Sequence, residues 1–274
     1  MDFTLKKYRQ LLEKLEGEGY RFQTYRDFIE NPCEGKTIIL RHDVDLKPQN
    51  SWATAKIEAD LGICASYYFR AVPESWDDDI IRDIAAMGHE VGYHYESLTT
   101  CHGDIDAAYR DFRTNLDKLR QLLSLTDNSQ QLPDEGQNQH RGSVSTICMH
   151  GSPRSPFDSK DIWKKYSYKE LGVVAEPYLD TDWSHTFYLT DTGRRWDGFH
   201  VSVRDRIPHW QDVWNRQGLT FHSTDDIIAR VEELPCCIMI TTHPQRWTDK
   251  RIPWLKELLL QNAKNVVKGI RTKD

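Results

Sequence analysis

No stretch of about 18 consecutive apolar residues occurs in this 274-residue sequence, so a membrane-spanning helix is not expected. The opening segment, Met1-Asp2-Phe3-Thr4-Leu5-Lys6-Lys7-Tyr8, lacks the apolar core of a signal peptide, and a cytoplasmic protein is expected. Excess positive charge is missing as well: the formal net charge is −6, whereas a nucleic-acid binder carries a basic footprint. Nucleic acid is therefore not an expected partner. Six cysteines, at positions 33, 64, 101, 148, 236 and 237, show no Cys-x-x-Cys spacing, and most lie in apolar runs where a thiol packs as a small hydrophobe. That pattern predicts neither disulfides nor a cysteine-held metal. Aromatic residues, by contrast, reach 11%, and the tryptophans at 183, 196, 210 and 247 fall in loop-like segments. Rings on loops stack against sugars when they are not packing in the core.

One stretch organises the rest: Thr37-Ile38-Ile39-Leu40-Arg41-His42-Asp43-Val44-Asp45. Apolar and β-branched residues run straight into charge, as a buried strand does where it emerges at the functional rim of an α/β sheet or barrel. Two-residue alternation puts Asp43 and Asp45 on one face and turns Val44 away. One carboxylate could then hold a metal while the other takes a proton; capping of the next helix is the competing role.

The pattern recurs along the chain. A helix over Leu5 to Leu15 is predicted by an apolar stripe, and a short strand over 20–22 follows. A helix from Pro48 stops at Gly62, a strand covers 65–70, and a helix over 77–87 is closed by Gly88. The strand 89–96 sends Gly92, His94 and Glu96 to one side, and a long amphipathic helix over 104–125 follows. The polar run 126–142 reads as a surface excursion, and a strand over 144–149 ends at His150. Beyond it come a helix over 158–168, short strands near 173–176, 186–190 and 198–203, and a helix over 224–231. The last strand, 236–242, ends at His243 and a final helix begins near Pro253. Alternating strands and helices argue for a parallel α/β fold. At this length we expect a single domain over 1–274 with an N-terminal helical extension over about 1–35. Four strands ending in Asp or His suggest an enzyme.

Taken together, the His42-Asp43-Val44-Asp45 strand end, the Gly88-His89-Glu90-Val91-Gly92-Tyr93-His94 strand and the Ile240-Thr241-Thr242-His243 strand end resemble the polysaccharide deacetylase family, the NodB-like carbohydrate esterases. The resemblance spans roughly residues 36–250. The strings around Tyr93-His94-Tyr95-Glu96, His150-Gly151-Ser152-Pro153, Asp191 to Trp196 and His243 to Trp247 are similar to a WbmS-like branch of uncharacterised homologues linked with O-antigen and surface-polysaccharide gene clusters. The resemblance implies a distorted (β/α) barrel of roughly seven parallel strands. It also implies removal of an N- or O-acyl group, acetyl first, from a sugar with one divalent metal ion, zinc first and another transition metal second. Asp43 then matches the general base, Asp45 and His94 metal ligands, and His243 the acid that protonates the leaving group.

Leu98 stands where the family has a second metal histidine, so Glu96, on the face of His94, is taken as third ligand, with His150 and His102 as alternatives. Arg41 and His150 border the base, and Asp180 and Asp182 lie where the family has an aspartate tuning the catalytic groups. Arg194, Trp196, Arg246 and Trp247 offer planar donors and ring faces for an anionic sugar or its carrier. The implied partner is a carbohydrate, free, nucleotide-linked or lipid-linked. Two other readings stay open: a catalytically silent carbohydrate-binding barrel, and a metal-free hydrolase of a non-sugar amide on the same fold.

Overall fold

In a computed structural model describing all residues but 33, 128–143, 153–154, 199–201, 203–204 and 272–274, strands and helices alternate along most of the chain. Helix α1 (Leu5–Gly17) is capped by Thr4, whose hydroxyl accepts from the Lys7 amide, and it buries Tyr8, Leu11, Leu12 and Leu15 on one stripe. Strand β1 (Arg21–Gln23) and helix α2 (Tyr25–Glu30) lead to β2 (Thr37–Val44), every residue of which is buried. Next come α3 (Pro48–Asp60), β3 (Ser66–Phe69), α4 (Asp78–Ala86), β4 (Glu90–Tyr95), α5 (Ser97–Thr100), α6 (Ile105–Asp127) and β5 (Ile147–Met149). The second half holds α7 (Pro177–Asp180), β6 (Phe187–Thr190), α8 (Pro208–Arg216), α9 (Thr224–Ala229), β7 (Cys237–Thr242) and α10 (Arg251–Arg271).

The seven strands make one curled, all-parallel sheet, with β5, β4, β3, β2, β7 and β6 side by side in that order. At its centre lies β2. Along one edge β7 pairs with Thr37 to His42; on the other, β1 takes Thr37 to Ile39 and β3 takes Arg41 to Val44. An eight-residue strand can thus serve two short neighbours on one edge. Burial on both faces explains why β2 and β7 read as continuous apolar runs instead of alternating ones. Because the strands are parallel, the carboxyl ends of β2, β4, β5, β6 and β7 gather at one rim, the place where open parallel sheets bind ligands. The path ends at β5 and β6, so the sheet is a half-barrel.

Several elements differ from the sequence pattern. Residues 158–168 wind as tight 3-10 turns, Ser159–Lys164 and then Tyr168–Leu171, with the Trp163 indole pinned to the Tyr95 hydroxyl at 2.8 Å. Residues 173–176 give only one bridge, Ala175 to Thr146, because the Glu176 carboxylate is spent capping α7 through the Tyr178 and Leu179 amides. Helix α8, opened by Pro208 and anchored by buried Trp214, is an element the pattern does not announce. Most of the expected strand over 198–203, most of the polar run 126–142 and Pro153 lie outside the described residues.

Candidate active site

Alternation along β2 turns Arg41 and Asp43 to the inner face and His42 toward α1 and α3. Arg41 grips Asp43 with two prongs, Nε to Oδ1 at 2.9 Å and Nη2 to Oδ2 at 2.6 Å. The guanidinium is itself fully buried, and its Nη2 also donates to the Tyr178 hydroxyl at 2.9 Å. Tyr178 donates onward to Asp205, which also accepts the Tyr188 and Thr190 hydroxyls. Burial alone would raise the Asp43 pKa, but Arg41, helped by His94 and His243, brings it down to about 2.

Asp45, one residue past the strand, has a different environment. Its Oδ2 accepts from Gln245 Nε2 at 3.1 Å, while its Oδ1 is buried without a hydrogen-bond donor. His94 Nε2 stands 3.6 Å from that oxygen and His150 Nε2 3.5 Å, both beyond hydrogen-bond length. Burial opposes the charge of Asp45, yet the three histidines 94, 150 and 243 hold its carboxyl well below the usual range.

Both rings are fixed from behind. His94 Nδ1 faces the Cys148 carbonyl at 2.9 Å, and His150 Nδ1 faces Glu96 Oε2 at 2.8 Å. These partners are acceptors, so Nδ1 of each ring carries a proton and Nε2 is the nitrogen that faces Asp45. Asp45 Oδ1 thus faces two ring nitrogens, at 3.6 and 3.5 Å, and accepts a hydrogen bond from neither. Tetrahedral zinc ligands, each about 2.1 Å from the ion, lie roughly 3.4 Å apart, close to the two separations measured from Asp45. Charge balance points the same way. Asp43 pairs with Arg41, Glu96 with Arg70 and Asp191 with Arg246, each at 2.6 Å, whereas no arginine meets the Asp45 carboxylate among the described residues.

Glu96, expected as third ligand, stands behind His150 instead. Its Oε1 accepts Arg70 Nε at 3.0 Å and Nη2 at 2.6 Å, and its Oε2 orients the imidazole. The reason is local: β4 ends at Tyr95, and Glu96 takes φ −136° and ψ 24° to enter α5, so the alternation that aims His94 inward stops one residue short. Against burial, His150 and Arg70 lower the Glu96 pKa to about 2. His150 reaches the site because β5 pairs with β4, Tyr95 opposite Met149. The other alternative, His102, is exposed on a left-handed turn.

A second set of ligand atoms shares His94. Asp43, His94 and Cys148 present donors within 4.8 Å of one another and could hold a metal ion, the register placing His94 opposite Cys148. No cysteine spacing signals this thiol in the sequence. Both Asp43 oxygens are already engaged by Arg41, however, and burial pushes the Cys148 thiol well up, away from the thiolate that binds metals.

His243 closes the rim from β7. Its Nδ1 lies 2.6 Å from Asp191, a fully buried carboxylate just past β6 that also accepts the His243 amide at 3.0 Å, Arg246 Nη1 at 2.6 Å and Trp247 Nε1 at 2.7 Å. Burial and Arg246 oppose a charged imidazole; Asp191 and Asp45 prevail and raise its pKa. Asp191 goes unassigned in the sequence, although it ends a strand as Asp43 does. Asp180 and Asp182 have other work. Asp180 accepts the Tyr168 hydroxyl at 2.6 Å and the Glu176 amide at 2.7 Å, and exposed Asp182 holds the Ser184–His185 turn. Trp196 is buried with its indole on Thr224, and Arg194 lies over the Trp254 ring at 4.5 Å. Arg246 and Trp247 are committed to Asp191, and Trp196 packs against Trp247.

No protein-family model matches this sequence, and no curated protein matches it.

Proposed function

We propose that the chain is a metal-dependent hydrolase that removes an acyl group, acetyl first, from the amide or ester of a sugar. The observation that carries this reading is the buried, donorless Asp45 Oδ1 set between His94 Nε2 and His150 Nε2. Resemblance of the strand ends at Asp43, His94 and His243 to polysaccharide deacetylases supplies the substrate class. Asp45, His94 and His150 would hold one divalent ion, and a set of two imidazoles and a carboxylate suits zinc or a neighbouring first-row metal. Such an ion polarises an acyl carbonyl and makes water acidic near neutrality.

The chain's own groups divide the proton traffic. Asp43, two residues from the ligand carboxylate and locked by Arg41, accepts the proton of the attacking water. His243, held by Asp191 as imidazolium, gives a proton to the departing nitrogen or oxygen. Their surroundings push the two pKa values apart, Asp43 down and His243 up, which matches a base and an acid working together.

Acetate release from acetylated amino sugars, free, nucleotide-linked and lipid-linked, tests the reading on protein reconstituted with zinc, manganese, cobalt or nickel. Release should require metal and should fall at least about 1,000-fold in Asp43→Asn, with metal still bound. Near-native turnover in Asp43→Asn, or no ion retained after reconstitution, would overturn it.

A further inference from the structure

Five large apolar side chains left exposed, Ile252, Leu255, Leu259, Leu260 and Val266, lie on α10. Ile252, Leu255, Leu259 and Val266 recur at three- and four-residue steps and multiples of them, which places them on one stripe of the helix. The other side is anchored to the body: the Trp254 indole donates to the Asp2 carbonyl at 2.6 Å, Gln261 is buried, and Asn265 donates to the Gly193 carbonyl at 2.8 Å. Docking thus fixes the helix with its stripe outward. Exposure reaches 70% at Ile252 and 62% at Leu259.

Charge on this segment runs against that of the chain. Within α10 stand five Lys or Arg residues and one Glu, in a protein whose net charge is −6. The one acid, Glu257, is drawn to Lys47 at 3.4 Å, while Lys256 and Lys264 are exposed.

We propose that α10 is a peripheral membrane-docking surface that lies flat on an anionic bilayer, its apolar stripe at the acyl boundary and the flanking Arg251 and Lys256 against lipid phosphates. Apolar residues rimmed by Lys and Arg are what such interfacial helices present. A second copy of the chain is the poorer occupant, because a parallel pairing of two stripes would set Arg251 and Lys256 of one copy beside those of the other. The helix also begins at the working rim. It follows the turn after His243, and its Glu257 meets Lys47, two residues beyond Asp45. The surface is defined without reference to the hydrolase reading, since it concerns binding alone.

Flotation of the full chain with phosphatidylcholine vesicles, with and without phosphatidylglycerol, tests the proposal. The protein should float with anionic vesicles, stay behind with neutral ones, and lose its association in high salt. Leu255→Asp with Leu259→Asp should abolish flotation, and Lys256→Gln should weaken it about five-fold. These side chains are exposed, so circular dichroism and melting should be unchanged; if the aspartates disturb either, Ile252→Ser with Leu259→Ser replaces them. No association with anionic vesicles, equal association with neutral ones, or binding indifferent to both double variants overturns the proposal. So does a stable dimer by light scattering that the double variant dissolves, because that result assigns the stripe to a second copy.

Discussion

His150 and Glu96 share a task that strand alternation assigns to Glu96 alone. Geometry separates them by rank: His150 Nε2 faces Asp45, while Glu96 touches only the far nitrogen of the same ring. Calorimetric titration with zinc should therefore show binding lost in Asp45→Asn and His150→Ala, but weakened only about 10- to 100-fold in Glu96→Gln. Lost binding in Glu96→Gln with full binding in His150→Ala would restore Glu96 as the ligand. Asp191 allows a second test at this scale. The His243 pKa is raised in the fold, so its protonated form, and the stability drawn from pairing with Asp191, persists below the unfolded value of about 6.5 and is lost as pH rises through the higher folded value. Asp191→Asn leaves burial and Arg246 to dominate, and the alkaline limb of kcat/KM should move to lower pH. An unmoved limb would take His243 out of the acid role. Asp43, Asp45, His94 and His243 are legible because each ends or follows an apolar run. Asp191 ends such a run too, but its pairing with His243, like that of Tyr178 with Arg41 and Asp205, is made only by the fold.

At the scale of elements, periodicity identifies strands and long helices well and fails where a strand turns into something else. The six-residue β4 carries His94 inward as expected, yet its alternation ends before Glu96. Short 3-10 turns carry no period, which is why 158–168 reads as an ordinary helix. Glycine in β4 is informative. A Cβ at Gly92 would strike the Tyr68 ring and come within 2.8 Å of the Thr146 carbonyl, so Gly92→Ala should destabilise by about 1–3 kcal/mol or more, read as a lower urea midpoint. An unchanged midpoint would mean that β3 and β5 yield at no cost. Behind the same sheet, fully buried Glu58 ties α3 to β2 through His42 at 2.8 Å, to β3 through the Tyr67 hydroxyl at 2.8 Å and to α1 through Tyr8. His42 continues to Thr242, the residue before His243, at 2.6 Å. Glu58→Ala strands His42 and two hydroxyls, and a loss of about 3–5 kcal/mol is expected in chemical denaturation. A loss below about 1 kcal/mol would show that solvent or repacking replaces the network.

For the molecule as a whole, the alternation of elements makes a parallel α/β sheet readable, but not its curl or the pairing of β1 and β3 along one edge of β2. Those long-range choices decide the candidate site, because they bring the ends of β2, β4 and β5 to one rim. Asp45, His94 and His150 come from three different strand ends, and the unfolded chain does not hold them together. A cation that binds this set thus favours the folded state by mass action. At free metal about 100-fold above Kd the gain is about 2.7 kcal/mol, which for a domain of this size raises Tm by roughly 5–10 °C. Scanning calorimetry of chelator-treated protein, before and after zinc is restored, should show that shift, and Asp45→Asn should abolish it. Equal melting with and without each of zinc, manganese, cobalt and nickel would show that the three ligands hold no ion, and the hydrolase reading would fall with them.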